Sequence, residues 1–297
     1  MPKMGYIRPN SPPSMLRLFA FFVSTAVILS AAMRSPAWVD RPQATPYPVP
    51  IDAAAAHPVA TADLAPNAMP QSDTLTAGVF PPNPAVLQGA TRDLAELDVR
   101  LVTLAPGHGF RFPKDTADHL VIVHDGNIAF NLEPTAKTLG PGGTALFVSM
   151  FRPDIYNSGK TNASFYLFSF QSRSAPDSAR YRQAPSGAVF IRDWPELEVK
   201  KTPKGESRAI FSQPTTWLKN INMHATTLNP GEISHPQHMH RAEEILLIRS
   251  GNVRMHIGNR YLPAKGGDLV FLPSGVPHDL ENGTTGRTEY FALQWEP

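Results

Sequence analysis

From residue 78 to the C-terminus the chain alternates short apolar stretches with turn residues every 6 to 12 positions. In the C-terminal part the stretches are Met223 to Leu228, Glu244 to Ile248, Val253 to Ile257, Leu269 to Leu272 and Tyr290 to Trp295. The breaks between them carry Asn229-Pro230-Gly231, Ser250-Gly251, Gly258-Asn259, Gly266-Gly267 and Asn282-Gly283, residues that turn a chain at little steric cost. Stretches of this length suit strands and are too short for ordinary helices, so the pattern predicts an all-β sandwich or barrel. Thirty-one Pro and 20 Gly in 297 residues argue against long helices in the same way.

The pattern occurs twice. Leu94 to Gly107 matches Leu218 to Gly231 at an offset of 124, and both copies end in Thr-Leu-x-Pro-Gly. Gly126 and Gly251, Gly143 and Gly267, Pro153 and Pro277, and Gly159 and Gly283 follow at offsets of 124 or 125. Two copies of one fold are expected. Gly78-Val79-Phe80 and Gly187 to Phe190 read as the opening strands of the two copies, which gives a first barrel at 78–175, a linker at 176–186 and a second barrel at 187–297.

Upstream the periodicity disappears. Residues 33–77 read as a disordered Pro/Ala-rich arm, since the span from Met33 to Pro84 holds 11 Pro in 52 residues and few clustered large apolar groups. Residues 1–32 carry Lys3, Arg8 and Arg17, then the apolar run Leu18 to Ala32 ending in Ser30-Ala31-Ala32. This is the layout of a cleaved export signal. As a helix the run would rise only about 22 Å, short of a hydrocarbon core of roughly 30 Å. The expected location is therefore periplasmic or extracellular, with membrane contact only through an uncleaved signal.

Removing residues 1–32 leaves 24 basic against 25 acidic groups, so no basic face for nucleic acid is implied. The chain has no Cys, which excludes disulfides and thiolate metal sites and leaves His and carboxylate as the available metal ligands.

Those ligands are present at telling spacings. His238 and His240 stand two apart after Gly231, and on a strand that spacing puts both imidazoles on one face, about 7 Å apart along the chain. Glu244 follows after a short loop, and His278 arrives after the turn-rich segment Pro273-Ser274-Gly275-Val276-Pro277. His235 has the other parity and reads as a rim residue, and Met239 faces away. His224 and His256 read as outward or structural, and Val253, Met255 and Ile257 as barrel filling.

Gly231, His238, His240, Glu244 and Gly251 resemble the first motif of the cupin superfamily, with one extra residue after the first Gly. Gly267, Pro273, Gly275, His278 and Asn282 match the second motif without deviation. The resemblance implies tandem cupin double-stranded β-helix (jelly-roll) barrels, a bicupin, with a 3-His-1-Glu metal site of His238, His240, Glu244 and His278 in the second barrel. In the first repeat the corresponding positions are Pro113 or Lys114, Asp115 or Thr116, His119 or Leu120, and Asp154, a set that cannot assemble such a site. The N-terminal copy is thus expected to be a degenerate cupin in which His119 is a packed residue.

Three imidazoles and one carboxylate suit one divalent transition metal, Mn or Fe first, with Ni or Zn as alternatives. The resemblance implies an exported metalloenzyme acting on a small oxygen-rich molecule: a decarboxylase, an oxidase or dioxygenase, or an aminohydrolase similar to the bicupin ureidoglycine aminohydrolases, whose ligand set differs from this one. The competing expectation is a non-catalytic metal-dependent module that binds or senses a small ligand. No catalytic acid or base is identified, and Gln294, Glu289 and Arg241 are candidates. A homodimer paired through barrel edges is a further expectation.

Overall fold

The computed structural model describes residues 74–297 except Pro113, Glu133 and Pro134, so the segment read above as an export signal (1–32) and the expected arm up to residue 73 lie outside the described residues. Thr74 to Ala77, assigned above to the arm, belong to the fold. Thr74 bridges Ala90, the Leu75 amide donates to the Ala90 carbonyl at 2.9 Å, and Leu75 packs on the core.

Two tandem β-barrels follow, each made of one large and one small sheet with antiparallel pairing throughout the strand ladders. In the first, a six-stranded sheet runs in the order Val189–Arg192, Thr144–Phe147, Asp118–Asp125, Ala163–Ser172, Leu94–Leu104, Leu87–Gly89, and faces a four-stranded sheet. In the second, a seven-stranded sheet runs Gly78–Phe80, Leu269–Leu272, Glu243–Ser250, Thr288–Glu296, Asn220–Leu228, Gly205–Gln213, Lys200–Thr202, and faces a three-stranded one.

The opening strands are exchanged between the barrels. Gly78–Phe80, expected to begin the first barrel, pairs with Leu269–Leu272 of the second, and Val189–Arg192 pairs with Thr144–Phe147 of the first. Alternating side chains specify which faces of a strand are apolar, but leave open which sheet edge its backbone completes.

Three apolar clusters explain the apolar runs. Val121, Val123, Ala145 and Phe147 fill the first barrel, and Leu246, Ile248, Val270 and Leu272 fill the second. The largest cluster lies between the barrels: Leu120, Ile122, Leu146 and Phe168 from one large sheet meet Ile245, Leu247, Phe271 and Leu293 from the other. The central strands are therefore buried on both faces, which is why Ile245 to Ile248 and Leu269 to Leu272 are continuously apolar rather than alternating. The paired repeat glycines share a cause: Gly126 (φ +71°) and Gly251 (φ +79°) are left-handed, and an added Cβ would meet Ala163 at 2.6 Å or the Arg287 carbonyl at 2.8 Å. Asn157 and Asn282 also correspond, each buried and donating to backbone carbonyls, of Leu104 and Thr161 in one copy and of Leu228, Asn229 and Gly286 in the other.

Asp118 sits at the seam of the barrels, where its carboxylate accepts from the backbone amides of Ser149 (2.7 Å) and Trp217 (3.2 Å). Burial pushes its pKa up to about 6, against the pull of those amides and the Thr215 hydroxyl. A carboxyl whose folded pKa is raised favours folding most below its unfolded pKa of about 3.9 and loses that contribution as pH rises through about 6. The unfolding free energy of the wild type minus that of Asp118→Asn is expected to fall by about 2 kcal/mol between pH 4 and 7 in urea titrations. A difference constant with pH would contradict this environment for Asp118.

Candidate metal centre

The loop after Gly231 and the turn before His278 are held together by backbone. The amide of His238 donates to the His278 carbonyl at 3.1 Å, the amide of His278 returns the bond to His238 at 2.8 Å, and the Gly275 amide donates to the His240 carbonyl at 2.8 Å. Glu244 enters the barrel from strand Glu243–Ser250, beside Gln294 and Leu272. One ring nitrogen from each of His238, His240 and His278 lies within 4.8 Å of the others, and the ring centroids are 4.6 to 5.3 Å apart. The Glu244 Oε2 atom lies 3.3 Å from His240 Nε2 and 3.2 Å from His278 Nε2.

Each imidazole is oriented through its Nδ1. His240 Nδ1 lies 2.8 Å from the Ala242 carbonyl, His278 Nδ1 2.8 Å from the Val276 carbonyl, and His238 Nδ1 3.3 Å from the His278 carbonyl. A carbonyl only accepts, so Nδ1 carries the proton and Nε2 keeps its lone pair in the neutral ring. His278 Nε2 is buried without an aligned hydrogen-bond partner, although a carboxylate oxygen is at 3.2 Å. A buried lone pair aimed at a shared point suits a cation, so the residues present fit a divalent metal.

The electrostatics agree. Burial alone would raise the Glu244 carboxyl, but the imidazoles of His240 and His278 override it and bring its pKa down to about 2. The Glu244 hydrogen bond raises His240 against the effect of burial, while burial and the neighbouring rings of His235 and His278 lower His238. The site is anionic at the Glu244 carboxylate, and neutral imidazoles beside it offer Nε2 lone pairs to a cation.

His238, Glu244 and His278 line a cavity of about 260 Å³ that also exposes His224, Thr226, His235, Leu246, Met255, Asp279, Tyr290 and Gln294. One sequence expectation is corrected here. His224, read as outward or structural, lines the cavity, because the apolar side of Asn220–Leu228 (Ile221, Met223, Ala225) packs against the other barrel and its polar side faces inward. Strand Thr288–Glu296 repeats this inversion, with Phe291, Leu293 and Trp295 between the barrels and Tyr290, Ala292 and Gln294 inward. His224 pairs with Ala292 and Thr226 with Tyr290 across the ladder, so shared parity with Gln294 was the available signal. His235, expected at the rim, is exposed and lines the cavity, with its ring edge-on to that of His238 at 3.9 Å between centroids.

Of the acid–base candidates, only Gln294 reaches the site, its Nε2 at 3.5 Å from His240 Nε2. Glu289 is turned away, accepting from Thr227 at 3.1 Å and paired with Arg249. Arg241 is spent on Asp93 in a two-pronged ion pair at 2.6 and 2.9 Å. His256 is structural, bonded to Asp279 at 3.0 Å and stacked on Tyr261. Met239 is exposed, Val253 and Ile257 fill the barrel, and Met255 does so while walling the cavity.

At the corresponding place in the first barrel, His119 is fully buried, with Ser169 Oγ at 2.9 Å and Asp115 Oδ1 at 3.2 Å, and Arg152 holds the same Asp115 oxygen at 3.0 Å. The imidazole and carboxylate there satisfy each other and a guanidinium, and among the described residues no ligand set converges in that barrel.

The Cupin domain model Cupin_2 matches residues 224–293. Among solved structures the chain is similar to protein Ylba from E. coli, 18% identical with a TM-score of 0.54 over 74% of this chain and 90% of that one. It is similar to AerE from Microcystis aeruginosa, 14% identical with a TM-score of 0.53 over 73% and 99% of the two chains. It is also similar to the oxalate decarboxylase of Bacillus subtilis, described with Mn(II) centres, at 15% identity and a TM-score of 0.51 over 69% and 70%.

Proposed function

On the premise that the chain belongs to the cupin superfamily and carries its cupin domain at residues 224–293, we propose that the C-terminal barrel is a metalloenzyme site for a small oxygen-rich molecule. The observation that carries this is the cluster of three Nδ1-anchored imidazoles, His238, His240 and His278, with the Glu244 carboxylate 3.2 to 3.3 Å from two of them, at a cavity of about 260 Å³. Three nitrogens and one hard oxygen favour Mn(II) or Fe(II), with Ni(II) or Zn(II) as alternatives, and the Mn(II)-containing structural neighbour supports the first. A divalent ion held there supplies positive charge and Lewis acidity towards an oxygen donor.

The protein's own groups narrow the substrate. No Lys or Arg is among the cavity-lining residues, so beyond the ion only neutral donors such as Thr226, Tyr290 and Gln294 greet a ligand. Burial, with the nearby Glu244 charge, keeps Tyr290 protonated by pushing its pKa up to about 12. A divalent ion beside the Glu244 carboxylate, with Asp279 also lining the cavity, leaves at most one surplus positive charge, which matches a monoanionic or neutral chelating ligand better than a dianion. Decarboxylation, oxidation and aminohydrolysis are the reactions proposed within this class. Export is proposed on the sequence of residues 1–32 alone.

A second reading, a binder without turnover, is favoured by the loss of Glu289 and Arg241 as acid–base candidates. The metal-loaded protein is tested against a panel of small hydroxy, keto and dicarboxylic acids for O₂ uptake, CO₂ release and ammonia release, alongside calorimetric binding. Turnover that His240→Ala abolishes supports the enzyme; calorimetric binding with no turnover of any panel member establishes the binder.

A further inference from the structure

We infer that the Thr91-Arg92-Asp93 turn of the degenerate barrel is the positioning device for the metal loop of the other barrel; the inference rests on the metal reading above. Strand parity sends Glu244 into the cavity and its neighbour Glu243 to the opposite face, towards the first barrel. There the buried Glu243 carboxylate accepts from the Thr91 hydroxyl (2.5 Å), the Arg92 amide (3.1 Å), the Asp93 amide (3.2 Å) and the Trp295 indole (3.3 Å). Asp93 grips Arg241, the residue directly after His240, with both carboxylate oxygens. Arg92 donates to the Ser274 hydroxyl at 2.9 Å, inside the turn that delivers His278 and beside Gly275, whose amide holds the His240 carbonyl. One three-residue turn thus touches both segments that carry metal ligands.

The repeat supplies an internal control. At offsets of 124 or 125, Thr215-Thr216-Trp217 forms the same turn against Asp118 of the first barrel: the Thr215 amide donates to Leu218 at 3.0 Å as Thr91 does to Leu94 at 2.9 Å. The Trp217 indole donates to the Thr116 carbonyl at 2.7 Å, and Ser149 Oγ to Thr216 Oγ1 at 3.3 Å. The contacts recur pair for pair, but only on the metal side are they built from Arg92, Asp93 and Arg241. A fold that needed the turn merely to join two barrels would be served by the neutral version. The charged fork fixes orientation as well as distance, which a ligand loop requires.

The test uses the full chain without metal, titrated with Mn(II) against a chelator. Arg92 and Arg241 are both exposed enough to replace without unfolding, Arg241 having a 54% exposed side chain. Arg92→Ala is expected to weaken Mn(II) binding about tenfold or more and to alter the Mn(II) EPR spectrum while leaving the metal-free Tm close to wild type. Arg241→Gln is expected to have the same effect on binding and spectrum with a lowered Tm, because it leaves the buried Asp93 carboxylate without its guanidinium. Thr215→Val, on the mirror turn, is expected to lower the Tm and leave Mn(II) affinity and spectrum unchanged. Wild-type affinity and spectrum in both arginine variants would overturn the inference with the metal reading intact. Failure of the wild type to bind Mn(II), Fe(II), Ni(II) or Zn(II) would overturn both.

Discussion

His278→Ala is expected to take the purified protein from one equivalent of bound divalent metal to less than half an equivalent. The His278 side chain is 4% exposed, so its Nε2 has no water to turn to, and its Nδ1 is anchored on Val276. Removing it takes one of four ligands and leaves the Glu244 carboxylate with a single imidazole within 3.3 Å. The fold should survive, because strand His278–Glu281 keeps its pairing with Asn252–Ile257 through backbone. His256→Ala is the matched control, and it should retain a full equivalent because its ring is bonded to Asp279 and stacked on Tyr261. Elemental analysis after dialysis checks both, and a full equivalent retained by His278→Ala would remove this residue from the site.

Phe271→Ala is expected to give a large stability loss with metal binding intact. Phe271 is fully buried, pairs with Gly78 and Ile245, and sits in the cluster between the barrels, on the face of its strand opposite Leu272. Deleting a buried aromatic costs about 3–5 kcal/mol through lost transfer free energy and the cavity left behind. For a folded region of this size that is a fall of roughly 10 °C in Tm. A shift below about 2 °C in a thermal melt would mean that the inter-barrel cluster is not the main core.

The sequence disclosed the fold through repetition and the metal centre through spacing. Gly126 and Gly251 recur because the same left-handed turn closes against the same neighbour in each copy. The His238, His240 and His278 cluster was legible from motif spacing, although His238 and His240 sit on a loop with one isolated bridge at His238 and not on the expected strand. What stayed hidden was which apolar face meets which partner. In Asn220–Leu228 the apolar residues face the first barrel and the polar ones face the cavity, the reverse of the usual rule for an isolated barrel, and this concealed His224 and Thr226. The exchange of Gly78–Phe80 and Val189–Arg192 was hidden for a related reason, since edge pairing is made by backbone that every residue shares. The use of Arg241 was invisible because its partner Asp93 is 148 residues away in the other copy.

X-ray absorption at the metal edge of the purified wild-type protein, with metal content determined on the same sample, tests the central claim most directly. One equivalent of a first-row divalent ion, with scattering from three imidazoles and a carboxylate and no sulfur, is the predicted result. A protein that takes up no metal from Mn(II), Fe(II), Ni(II) or Zn(II), or binds it with fewer than three imidazoles, would contradict it.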